Sequence, residues 1–179
     1  MKQVLTINKR AFEFVINQHG FVNSLYECGE KIEKYSVDEY IHIREALSQE
    51  KLCYPDFDGK LKIASDILSR FCYCILNSDA ALFCGSKSDR IVYLKSPIDV
   101  IVLTYRNENV IISSVFAPDA YNIVNKQITE NNLSIKVANI RKEKNGTYVT
   151  DALIYDSESA AKALSSFMAS SFKPFYWGE

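Results

Sequence analysis

Gly85-Ser86-Lys87-Ser88 carries the residue types of a phosphate-binding loop, in which backbone N–H groups and a lysine cradle a phosphate chain. A Walker A loop needs a second glycine five residues earlier, where Ala80 stands, and a helix behind it, whereas Arg90 to Lys95 reads as a strand. The segment Gly85, Ser86, Lys87, Ser88 and Asp89 therefore reads as a polar turn between strands, open to contact with a partner. Asp56, Asp58 and Asp66 are near enough in sequence to suggest acid–base work. Asp56 or Asp58 also stands where the next helix needs an N-cap, and Asp66 falls on that helix's polar side, so capping and solvation account for the cluster. Ser, His and Asp are all present, but no G-x-S-x-G or comparable elbow sets a nucleophile beside a base. No catalytic residue is assigned.

Metal chemistry is equally unsupported. The cysteines Cys28, Cys53, Cys72, Cys74 and Cys84 are odd in number and form no C-x-x-C pair. Three lie in apolar segments, as buried reduced thiols do. Cys72 and Cys74, two apart on a predicted helix, point to different faces, and His19 and His42 show no ligand spacing. The sequence therefore implies no cofactor.

Composition bounds the rest. The 179 residues, 47% hydrophobic, suffice for one domain spanning residues 1–179, burying roughly 70% of its unfolded surface. With 21 Lys+Arg against 22 Asp+Glu, the net charge of −1 offers no footprint for nucleic acid or anionic membrane. No apolar run reaches the roughly 20 residues of a membrane span, and the start MKQVLTINKR lacks a signal core. The expectation is a cytoplasmic protein without membrane insertion.

The elements that must position any site follow from periodicity. Gln3 to Ile7 reads as a strand, and Asn8 as the cap of a helix over Lys9 to Gln18 that buries Phe12, Val15 and Ile16 and ends at Gly20. Ser36 and Glu39 form a capping box for a helix reaching about Glu50, with Tyr40, Ile43, Ala46 and Leu47 as its stripe. After the break at 54–59, Leu61, Ala64, Ile67, Leu68, Phe71 and Ile75 trace a long third helix. Strands follow at Ala80 to Cys84 and Arg90 to Lys95.

The stretch from Asp99 to Ile128 is the clearest of all. Val100 to Tyr105 is apolar on both faces, as a strand inside a covered sheet is, and Ser113 and Ser114 make Val110 to Phe116 wetter. Arg106 to Asn109 suits a loop built on a type I turn, and Ala117-Pro118-Asp119 starts a helix carrying Ala120, Ile123, Val124 and Ile128. A second hairpin, Leu133 to Arg141 and Tyr148 to Tyr155, turns at Asn145-Gly146 and leads into a helix from Ser157 to about Phe172. The fold class is α+β, a central antiparallel sheet covered by helices. Residues 98–130 and 133–172 echo each other as strand–turn–strand–helix, a degenerate pseudo-two-fold repeat.

Two features favour contact with a partner. The last helix is rich in Ala and Ser, which lets either its own sheet or another protein approach closely. The tail Phe175-Tyr176-Trp177, just beyond Phe172, either folds back as a lid or presents an interaction hook.

Leu5-Thr6 before a short helix, Asp58-Gly59 before a Leu-rich helix, then a strand and the hairpin and helix at 98–130 give an order that resembles the EspG-type chaperones of type VII secretion systems. The likeness covers residues 3–130 and rests on pattern and order. This chain is shorter, and rich in Lys, Asn, Ile and Tyr where the family favours Ala, Gly and Pro. The resemblance implies a non-catalytic cytosolic chaperone that keeps a helical type VII substrate, a secreted helical-hairpin protein or toxin, soluble for an export ATPase. It implies that the client's tip meets a loop between early strands, here Gly85 to Asp89, and C-terminal helical elements, here Ser157 to Phe172; the aromatic tail Phe175, Tyr176 and Trp177 supplies further apolar anchors for such a client. The alternative is an immunity protein that neutralises a secreted toxin domain; a one-sided cluster of carboxylates would favour it, and the sequence shows no such run.

Overall fold

The computed structural model describes residues 4–25, 30–78, 80–85, 89–95, 100–115, 117–131 and 134–169. β1 (Val4–Asn8) turns Leu5 and Ile7 toward the core, and α1 (Lys9–Gln18) follows without a linker. Asn8 makes that possible, because its Oδ1 accepts from the N–H groups of Arg10 (2.9 Å) and Ala11 (3.4 Å). The capping box of α2 (Val37–Gln49) is also formed: Ser36 Oγ accepts from the Glu39 N–H at 3.2 Å and Glu39 Oε2 from the Ser36 N–H at 3.0 Å.

The next segment departs from its helical periodicity. Leu61 starts a strand, β3 (Leu61–Ile63), which pairs antiparallel with β2 (Cys53–Pro55), and α3 (Asp66–Asn77) begins five residues later. The turn between the strands determines this. Asp56 Oδ1 accepts from the N–H groups of Asp58 (3.0 Å) and Lys60 (2.9 Å), so it organises a turn instead of capping a helix. Ser65 takes the capping role, its Oγ accepting from the Leu68 N–H at 3.4 Å.

The main sheet has the strand order β1-β7-β6-β5-β4-β8-β9, every neighbour antiparallel. Its remaining strands are β4 (Ala80–Gly85), β5 (Asp89–Lys95), β6 (Val100–Arg106), β7 (Asn109–Val115), β8 (Ile135–Glu143) and β9 (Gly146–Tyr155). Helices cover both faces, giving three layers. On one face Ile101, Leu103 and Tyr105 of β6 meet Phe12 and Ile16 of α1, Leu47 of α2 and Leu68 and Phe71 of α3. On the other, Val100 and Val102 meet Val124 and Ile128 of α4 (Ala117–Asn131) and Ala160, Ala163 and Leu164 of α5 (Ser157–Ala169). The two-faced apolarity of β6 thus has its expected cause.

Both long hairpins turn more tightly than, or one residue away from, their sequence expectation. Arg106 pairs with Asn109, leaving a two-residue turn with Asn107 at φ +53°. Glu143 pairs with Gly146, so the turn residues are Lys144 and Asn145, and the glycine takes the positive φ (+144°) at the start of β9. Val137 pairs with Leu153 but Asn139 with Thr150, a bulge that gives β9 one extra residue. In α4, Val124 and Ile128 are buried, whereas Ile123 is 39% exposed.

Candidate partner interface

One end of the main sheet gathers part of the sequence-predicted contact set. Gly85 ends β4 at φ +102° and pairs with Arg90, and Asp89 pairs with Arg106. Cys84 pairs with Ile135 and Ile135 with Tyr155, so α5 begins at the same sheet end as the β4–β5 turn. Asp156 caps α5, its Oδ1 accepting from the Ser159 N–H at 2.9 Å. Hydrogen bonds from Ser159 hold that carboxyl below the usual carboxylate range. The β6–β7 turn lies at this end too, where Glu108 O accepts from the Lys9 N–H (2.8 Å) at the start of α1.

The thirteen residues of α5, about 20 Å of helix, run back over the sheet and away from that turn. Ala160 and Ala163 are buried, so the small residues of α5 serve its own sheet, while Ser165 and Ser166 face outward. Ser86, Lys87, Ser88, Phe172, Phe175, Tyr176 and Trp177 lie outside the described residues.

A second surface was not anticipated. α2 fully buries only Leu47; of its expected core stripe, Tyr40 packs its ring edge-on against Phe14 at 5.3 Å while 38% exposed, and Ala46 is exposed. Val37 and Ile41 face solvent on an adjoining stripe, and the β2–β3 turn, joined to α2 through Arg44, holds Phe57 fully exposed. Arg44 links helix and turn, donating through Nη2 to Gly59 O and through Nη1 to the Tyr40 hydroxyl, each at 2.7 Å. Between α2 and β2 runs an open groove of about 520 Å³, lined by Arg44, Glu45, Ser48, Gln49 and Pro55. The available signal was Val37 and Ile41 at i, i+4, together with a phenylalanine in an Asp-Phe-Asp-Gly turn.

Arg10 sets where α2 sits. Its guanidinium lies 4.1 Å over the Tyr35 ring, donates to the carbonyls of Glu33 and Lys34 (both 3.4 Å) and pairs with Glu39 at 3.3 Å. On its other side Arg10 is 3.6 Å from the buried Glu13, which accepts from Ser24 Oγ at 2.9 Å. Burial pushes the Tyr35 phenol well above its ordinary pKa, and Arg10 partly offsets this. Stacking, ion pairs and backbone bonds thus clamp the 30–36 segment, and with it α2, onto α1.

The rings of His19 and His42 are tied one turn back on their own helices, with Nδ1 2.8 Å from Val15 O and 2.7 Å from Asp38 O. Among the described residues no group of three or more His, Cys, Asp or Glu side chains could hold a metal ion. Cys53, Cys72 and Cys84 are buried and free; burial pushes Cys53 up to about 11 and, with a smaller contribution from Cys53, Cys72 up to about 12. Native chain at pH 8 should leave these three thiols unmodified by Ellman's reagent while urea-unfolded chain reacts fully, with mass mapping as the check. Above pH 9 the unfolded thiols lose protons that the native ones keep, so the unfolding free energy falls as pH rises toward 11. Denaturant melts across that range test the sign.

No protein-family model and no curated protein matches this chain. Among the described residues no helix is long and apolar enough to cross a membrane.

Proposed function

We propose that this protein is a non-catalytic cytosolic chaperone that binds a helical type VII secretion substrate and keeps it soluble for export. The observation that carries the reading is that Gly85 and Asp89, which flank the β4–β5 turn, lie at the same end of the sheet as the start of α5, since these are the regions through which EspG-type chaperones hold a client. The topology adds support. β6, β7 and α4 flank one side of the β5–β4 centre, β8, β9 and α5 flank the other, and both helices lie on one face. That order fits two degenerate copies of one unit about a pseudo-two-fold axis.

Co-expression with the products of adjacent genes, followed by size-exclusion chromatography, tests the reading. The expected result is co-elution that depends on the client's helical hairpin, and elution of the two proteins apart would count against it. A tail lacking residues 175–177 separates hook from lid: weaker client binding marks a hook, and a lower melting temperature with unchanged binding marks a lid.

The immunity reading draws on a different observation. Asp38, Glu45 and Asp58 stand exposed around the α2 surface and have no ion-pair partner among the described residues. Such a rim suits a basic toxin domain, and co-elution with that domain alone would favour this role.

A further inference from the structure

We propose that the outer face of α2, with the β2–β3 turn, is a docking site for an amphipathic helix whose apolar stripe is flanked by Lys or Arg. The proposal concerns a surface apart from the β4–β5 turn and does not depend on the chaperone reading.

The apolar part is a set of exposed side chains on two elements that Arg44 joins. Val37 is 75% exposed, Ile41 47%, Tyr54 51% and Phe57 fully, and all belong to α2 or the adjoining hairpin. Val37 and Ile41 stand at i and i+4, the spacing through which one helix reads another, while the ring of Tyr40 packs edge-on against Phe14 of α1 at 5.3 Å. An exposed phenylalanine costs the fold nothing to remove and offers a large rigid anchor to a partner.

The surface is held in place in advance. Within the turn, Asp56 N–H donates to Lys60 O (2.8 Å), Gly59 N–H to Asp56 O (3.0 Å), and Lys62 pairs with Asp56 at 3.7 Å. Arg44 fixes the turn to α2, and the N–H groups of Ala64 and Ser65 both donate to Leu52 O at the hairpin base (2.8 and 3.1 Å). A site ordered beforehand loses little entropy when a partner binds.

Charge selects the occupant. Asp38 and Glu45 lie one heptad apart along one border of the Val37–Ile41 stripe, and Asp58 neighbours Phe57. These three carboxylates are exposed, and none has an ion-pair partner among the described residues. The nearby Arg44 is committed to Gly59 O and Tyr40, which leaves Lys60 against three carboxylates. A second copy docking α2 on α2 would bring Asp38 and Glu45 against like charges, and an anionic lipid surface would be repelled. A helix with basic flanks satisfies both the stripe and its border.

Two labelled 18-residue helical peptides with the same leucine face, one flanked by Lys and Arg and the other by Glu, are the probes for fluorescence anisotropy with the full chain. The basic peptide should bind at least about tenfold more tightly at 50 mM salt, with a margin that narrows at 300 mM. Phe57→Ser and Ile41→Ser should each weaken it about tenfold or more, and Asp38→Lys with Glu45→Lys should reverse the preference. All these positions are exposed, so melting temperatures should stay within about 2 °C of the parent. Equal binding of the two peptides, or full binding by Phe57→Ser, would overturn the proposal. So would a dimer in sedimentation equilibrium that Ile41→Ser dissociates, which would assign the face to a second copy. Co-elution of the secreted client is read separately, so failure here leaves that result unaffected.

Discussion

Phe12→Ala should lower the unfolding free energy by about 3–5 kcal/mol. Phe12 is completely buried where α1 crosses the sheet, and it bridges two elements. Its ring lies 5.2 Å from that of Phe71 on α3, tilted by 46°, and 6.2 Å edge-on from Tyr105 on β6. Truncation removes dispersion contacts to both and leaves a cavity between rigid elements that cannot collapse around it. Domains of this kind have only about 5–15 kcal/mol in total, so Phe12→Leu, which keeps most of the volume, provides a measurable second variant. Urea denaturation of Phe12→Leu, Phe71→Leu and the double variant should show a coupling of about 0.5–1.5 kcal/mol. Full additivity would mean that the two rings do not act together.

Gly146→Ala should cost about 2–4 kcal/mol, combining strain at φ +144° with overpacking. A Cβ at this position would lie 2.6 Å from Val22 Cγ2 and 2.9 Å from Gly20 O. Val22 could rotate aside, but the Gly20 carbonyl is backbone and must move with the segment after α1. The expected melting temperature is lower by roughly 5–15 °C. Gly59→Ala is the control, because φ is +73° there but no atom lies within 4 Å of the added Cβ, so only about 1 kcal/mol of conformational cost applies. Equal losses for the two variants would show that the β8–β9 turn does not press on the segment after α1.

That turn also shows where local sequence stops being informative. Asn145-Gly146 has the favoured residues for a type I′ pair, yet the glycine is used one position later, where a neighbour approaches. Asn8 and the Ser36–Glu39 box were legible because a cap is satisfied within a few residues of itself. The two-faced apolarity of Val100 to Tyr105 likewise placed that strand inside a covered sheet. Leu61 to Ile63 misled because Leu61, Ala64 and Leu68 fit a helical period while Leu61-Lys62-Ile63 also alternates, and the choice fell to backbone bonds around Asp56. On α2 the pattern held two apolar stripes, and periodicity cannot say which one meets the core. The pairing of β1 with β7 joins positions a hundred residues apart and leaves no local mark.

The same division applies to the sites. Gly85 to Asp89 was legible as a polar turn, but its nearness to the start of α5 comes from the pairings of Cys84 with Ile135 and Ile135 with Tyr155. The α2 face was hidden because Tyr40 and Ala46 looked like core residues. It became visible once the clamp of Arg10 on Tyr35 and Glu39 fixed the helix orientation.

The proposed chaperone role puts the client at the sheet end shared by Gly85, Asp89 and the start of α5. Hydrogen–deuterium exchange of the full chain, alone and with its co-expressed secreted client, tests it most directly. The account predicts slowed exchange across the β4–β5 turn and the first turn of α5 when the client is bound, with the core strands β6 and β7 unchanged. A complex that leaves both of those segments exchanging at their free rates would contradict it.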